Sequence, residues 1–98
     1  MIAVAFLYEA RDAEGFEAAY GPQGEWAAFF AGARGYIGTE LLRDVDTPGR
    51  YLVIDRWENA ETYNAFIEAN RDEYMRRGDE MAFHYVQELR FGSFESLS

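Results

Sequence analysis

The chain has no cysteine and a single histidine, His84, in 98 residues. Without cysteine there is no disulfide, thiol nucleophile or thiolate-bound metal. A zinc ligand set would have to be completed by carboxylates, so no metal site is expected. Basic residues are half as frequent as acidic ones, nine against eighteen, and the formal charge is −9. Nucleic acid and anionic membrane surfaces both call for basic patches, so neither is expected as a partner. No apolar run approaches the roughly 20 residues of a membrane span. The apolar Ile2–Leu7 run has no basic segment before it and is too short for a signal peptide. A cytoplasmic protein is the expectation.

What the chain does have is apolar and aromatic material. Hydrophobic residues make up 49% and aromatics 17%, enough to build a packed core in one domain spanning residues 1–98. Arg50–Phe66 is the most informative stretch. Tyr51, Leu52, Val53 and Ile54 suit a strand. Asn59 offers a helix N-cap, Glu61 places negative charge in the first turn, and Tyr63, Phe66, Ile67, Asn70 and Tyr74 then fall on one helical face. The alternation puts Tyr51, Val53, Asp55 and Trp57 on one side of the strand and Leu52, Ile54 and Arg56 on the other. Both sides carry bulky apolar groups, so both need a cover.

Ile2–Glu9 reads as a first strand, again apolar on both faces. Asp12 is a candidate N-cap for a helix whose stripe includes Phe16, Ala19 and Tyr20. Gly21-Pro22-Gln23-Gly24 interrupts that helix, and Pro22 could open a second piece carrying Trp26, Phe29 and Phe30. Tyr36–Asp44 is a second strand, and Asp46-Thr47-Pro48-Gly49 is a turn into the third. The second helix is expected from about Ala60 to Tyr74, with a break at Arg76–Gly78. Asp79–Gln87 fits either a helical turn or the start of a strand. Glu88–Glu95 is a fourth strand, with Leu89, Phe91 and Ser93 alternating against Arg90, Gly92 and Phe94. The order β-α-β-β-α-β is the ferredoxin-like α+β plan, a four-stranded antiparallel sheet with its helices on one face. The two-sided apolar strands predict that the free face meets a second sheet in a two-fold dimer.

Several segments carry a family resemblance. They are Gly15-Phe16-Glu17 through Tyr20-Gly21-Pro22-Gln23-Gly24-Glu25-Trp26, then Gly35–Asp44, then Tyr51–Trp57 with Glu58, and Phe66. With these pieces the chain resembles the antibiotic biosynthesis monooxygenase family, small domains of the dimeric α+β barrel superfamily, over nearly its whole length. Gly-Tyr-x-Gly and Asp-Arg-Trp-Glu are the most specific parts. The resemblance implies a homodimer with a pocket between sheet and helices in each subunit. It implies no cofactor, because cofactor-free members act on phenolic or quinol-type molecules that reach oxygen as stabilised anions. The protein then has to bind a ring, help remove a proton and exclude water. Haem-degrading members rely on an Asn on the first strand and a Trp and a His on the second helix. Here Ile2–Tyr8 has no Asn, Phe66 stands near the Trp position, and no His precedes His84.

The candidate ring-binding residues are Phe6, Tyr8, Tyr20, Trp26, Trp57, Tyr63 and Phe66, each of which could equally fill the core at its strand or helix spacing. Asp55 and His84 are the candidate proton acceptors. His84 has the only side chain that ordinarily titrates near neutral pH, and could equally be a partly exposed residue at an element boundary. Asp55 sits among apolar residues, where an unpaired charge is costly. It either faces the pocket or pairs with Arg43 on the neighbouring strand, and Arg56 is a candidate for a pair at the dimer interface. The leading reading is a cofactor-independent monooxygenase of a small aromatic or quinol-type molecule; its rivals are a non-catalytic small-molecule-binding or stress-response module on the same fold and haem binding or breakdown, the last disfavoured by the missing Asn, Trp and His.

Overall fold

A computed structural model describes residues 1–97. Four strands, β1 (Ile2–Ala10), β2 (Tyr36–Arg43), β3 (Arg50–Trp57) and β4 (Tyr85–Glu95), form one sheet in the order β2-β3-β1-β4. All neighbouring pairs are antiparallel. Helices α1 (Ala13–Tyr20), α2 (Glu25–Phe30), α3 (Ala60–Ala69) and α4 (Arg71–Met81) connect them, and a 3₁₀ turn at Ala82–His84 leads into β4. This is the expected ferredoxin-like α+β sheet. No helix among the described residues is long and apolar enough to cross a membrane.

The local signals explain most boundaries. Asp12 caps α1 by accepting from the Gly15 N–H at 2.8 Å, and Asn59 caps α3 by accepting from the Thr62 N–H at 2.8 Å. Pro22 lies in the turn before α2, whose N-cap is Gly24. In the β2–β3 hairpin the Asp44 carboxylate accepts from the N–H groups of Asp46 and Thr47 and from Arg50, while Gly49 takes φ +85°.

Two expectations about the second half fail. The helix break falls at Asn70 rather than at Arg76–Gly78. Asn70 leaves helical geometry (φ −121°, ψ 26°), and the Phe66 carbonyl accepts both its side-chain amide at 2.9 Å and its backbone N–H at 3.0 Å, capping the helix there. The Arg76–Gly78 segment stays helical, and Arg76 bridges there to Glu73 and Glu80, its neighbours three and four positions away. The fourth strand begins at Tyr85 and carries two irregularities, one of them opposite Ala5/Phe6. That bulge shifts the alternation, so Arg90 shares a face with Ser93, to whose hydroxyl it donates at 3.0 Å, and not with Phe94.

The two sheet faces differ. Tyr51, Val53, Asp55 and Trp57 face the helices and are buried. With Val4, Tyr8, Phe16, Tyr20, Phe30 and Met81 they form the core. On the other face the register aligns Leu42, Leu52, Leu7 and Leu89 in one row across all four strands. Leu42 and Leu89 at its ends are 41% and 50% exposed, and Phe94 nearby is 53% exposed.

Candidate active site

A cavity of about 420 Å³ lies between the helix-side face of the sheet and the helices. The sheet contributes Phe6 and Tyr8 from β1, Val53 and Asp55 from β3, and Glu88 and Arg90 from β4. Tyr20, Trp26, Phe30, Tyr63 and Tyr74 close it from the helices. Gly78 on α4 is also in the wall, where an added Cβ would meet no atom within 4 Å. Its lack of a side chain leaves the space open, at the ordinary helix cost of about 1 kcal/mol.

Three polar features stand out in this aromatic chamber. The first is Asp55, which is 7% exposed. The β2–β3 register places it opposite Thr39, whose hydroxyl donates to Asp55 Oδ1 at 2.6 Å. Burial pushes its carboxyl up from 3.8 to about 6, against the opposing effect of the Thr39 bond. The second is the pair of Tyr8 and Glu88, in which the phenol donates to Glu88 Oε2 at 2.6 Å. Burial, and then the adjacent carboxylate, hold the Tyr8 phenol well above its ordinary range. The third is the buried Trp26 indole N–H, which has no partner in hydrogen-bond geometry among the described residues. Burial also raises the phenols of Tyr20 and Tyr74, the latter to about 12. A ring molecule entering here meets aromatic faces and the carboxyl groups of Asp55, Asp79 and Glu88, which can accept protons or hydrogen bonds.

The sequence profile of the antibiotic biosynthesis monooxygenase family matches residues 24–74. The chain belongs to this family. No curated protein matches it in sequence. Among solved structures it is similar to SnoaB, a cofactor-independent oxygenase from Streptomyces nogalater, with 17% identity, TM-score 0.78, and coverage of 99% of this chain and 93% of that one. It is similar to the heme-degrader MhuD from Mycobacterium tuberculosis, a structure with two hemes bound in the active site, with 18% identity, TM-score 0.67, and coverage of 100% and 97%. PA3566 from Pseudomonas aeruginosa gives 14% identity, TM-score 0.66, and coverage of 99% and 94%. At these identities the likeness speaks for the fold.

Within this family member the residues singled out in the sequence divide into two groups. Phe6, Tyr8, Tyr20, Trp26, Asp55 and Tyr63 come together on the cavity wall. Trp57, Phe66 and His84 do not. Trp57 has no exposed surface and is packed edge-on by Phe30, Tyr36 and Tyr63. Phe66 packs on Trp57, Phe29 and Phe30 and borders an outer groove with Arg34 and Asn70. His84 lies in the 3₁₀ turn, tilted against Phe83 at 3.9 Å between ring centroids, with Tyr20 edge-on at 6.1 Å. The expected Asp55–Arg43 pair does not form. Arg43 stands opposite Tyr51, four residues along β2 from Thr39, and bridges Glu17 at 2.6 Å. Arg56 pairs with Glu40 within the subunit, on the open sheet face. The alternation does not point to Glu88 and Arg90, because the bulge that turns them inward leaves no mark in it. Tyr74 was visible on its helical stripe.

Proposed function

We propose that this family member is a cofactor-independent monooxygenase acting on an uncharged phenolic or quinol-type aromatic molecule. The observation that carries this reading is the buried Asp55 carboxyl at the wall of an aromatic cavity. Aromatic faces bind the ring, and Asp55, raised toward neutrality by burial, removes an acidic phenol or enol proton. The resulting anion gives electrons to dioxygen. One oxygen atom enters the ring as a carbonyl, and the other leaves as water with the hydrogen lost from that carbon and a proton equal to the one taken from the phenol or enol. Substrate supplies all four electrons, so the reaction balances without another reductant.

The wall chemistry also selects by charge. Asp55, Asp79 and Glu88 line the cavity against one cation, Arg90, whose guanidinium sits over the Phe6 ring. A carboxylate or phosphate on the ligand would be repelled. The two propionates of haem would meet the same repulsion, and no histidine lies on the wall.

Homodimerisation is part of the proposal. The Leu42–Leu52–Leu7–Leu89 row gives the open sheet face an apolar centre, and a second copy of that face is its matching cover. The functional test is oxygen uptake by the purified protein with a panel of anthrones, quinols and catechols. Uptake above the protein-free rate, abolished in Asp55→Asn, is the expected result. Absence of uptake, with binding retained, would favour the non-catalytic binding module.

A further inference from the structure

We propose that Thr39 and Tyr36 form a proton exit path from Asp55 to solvent at the β2 edge of the sheet. It rests on the reading of Asp55 as the proton acceptor. Three side chains are in line. Thr39 Oγ1 is 2.6 Å from Asp55 Oδ1, and the Tyr36 hydroxyl is 2.6 Å from the same Thr39 oxygen. Both separations are at the short end for O–H···O bonds.

The line exists because of a strand irregularity. Residues three apart on a regular strand point to opposite faces, so Tyr36 and Thr39 would not meet. Here Tyr36 pairs with Trp57 and Gly38 with Arg56, leaving Ile37 as an extra residue. The bulge turns Tyr36 and Thr39 to the same side. Ile37 is left 53% exposed, an apolar side chain turned to solvent. β2 is an edge strand, and Tyr36 is half-buried where Asp55 is buried, so the line runs from the interior outward.

Asp55 has few other routes. Its neighbour across β1 is Val4, which is apolar. Tyr63, Tyr74, Glu88 and Arg90 share the cavity wall with it, and Thr39 is its one hydrogen-bond partner among the described residues. A bound ring would fill the space between Asp55 and those groups. With Asp55 ionised, Tyr36 donates to Thr39 and Thr39 donates to Asp55. Once Asp55 has taken the substrate proton, the chain reverses. The carboxyl proton passes to Thr39 oxygen, the Thr39 proton to Tyr36 oxygen, and the Tyr36 proton to a water molecule. Each hydroxyl ends with one hydrogen, oriented as it was with Asp55 ionised, and one proton has passed to solvent, which returns a proton when the second oxygen leaves as water.

The decisive variant is Tyr36→Phe, because Tyr36 does not touch Asp55. A purely anchoring role for Thr39 would leave this variant unaffected. The measurement is the relaxation of the Asp55 carboxyl infrared band after a pH jump in protein whose cavity is filled by an unreactive aromatic ring such as naphthalene, with Asp55→Asn identifying the band. Tyr36→Phe and Thr39→Val are expected to slow the relaxation by about tenfold or more, and Thr39→Ser to restore it. Wild-type relaxation in folded Tyr36→Phe overturns the path, as does failure of Thr39→Ser to restore the rate. Because the readout needs no substrate, a protein that consumes no oxygen can still pass this test, and an active oxygenase can fail it.

Discussion

Replacing Asp55 by asparagine isolates the energetic cost of burying this carboxylate. The amide has nearly the same shape and its oxygen can still accept from Thr39, so the substitution changes charge far more than packing. Asp55 has a folded value of about 6 against an ordinary 3.8. The folded state therefore holds this proton more tightly than the unfolded chain. As pH rises from about 4 to about 6, the unfolded chain releases the proton first, and stability from this group falls across that window. At about 1.4 kcal/mol per pH unit of displacement the loss comes to about 3 kcal/mol, complete above the folded value. Other ionisable groups are common to both proteins and largely cancel in the difference. Urea melts of wild type and Asp55→Asn at about pH 3.5 and about pH 7.5 should show the variant's relative stability rising by about 3 kcal/mol between the two. A difference independent of pH, or a variant less stable at neutral pH than at acid pH relative to wild type, would refute the claim that Asp55 is buried at a cost. The same variant should lose oxygen uptake, so a gain in stability and a loss of activity are expected together.

Trp57→Ala should cost about 3–5 kcal/mol in a denaturant melt, because a fully enclosed indole leaves a cavity among four aromatic neighbours. Gly35→Ala should cost about 2 kcal/mol or more by thermal melting. Gly35 has φ +88°, and a Cβ there would fall 2.3 Å from Thr62 Oγ1. Light scattering at micromolar concentration should give a dimer for the wild type, and Leu89→Arg, at the end of the leucine row, should give a monomer with its helix-side core intact. A monomeric wild type would remove the proposed role of the open sheet face.

The segments that were readable in advance are those whose local chemistry and tertiary role agree. Asp12 and Asn59 cap their helices, Gly49 turns the hairpin, and β1 and β3 alternate without interruption. The misplaced features depend on contacts that a one-dimensional pattern does not contain. The break between the two helices falls at Asn70, where the Phe66 carbonyl accepts both its side-chain and backbone N–H, while Gly78 is tolerated inside the next helix. Arg43 was a reasonable partner for Asp55 by strand proximity, but the register set Thr39 there instead and left Arg43 to Glu17.

The candidate site shows the same division. Phe6, Tyr8, Tyr20, Trp26, Asp55 and Tyr63 are of residue types able to bind a ring or accept a proton, and the cavity gathers them. Trp57 and Phe66 are chemically as suitable, yet packing places them behind the wall. His84 is held in a turn away from it. By itself, the sequence determined the element order, the ferredoxin-like plan, the absence of thiol chemistry and the family, because each follows from periodicity, caps, composition or local motif. Only the tertiary structure decided which aromatic groups face open space, that Glu88 and Arg90 turn inward, and that Tyr36, Thr39 and Asp55 stand in line. Those outcomes depend on strand register and on bulges in β2 and β4. One extra residue reverses every side chain beyond it, and side-chain alternation alone does not say where that residue falls.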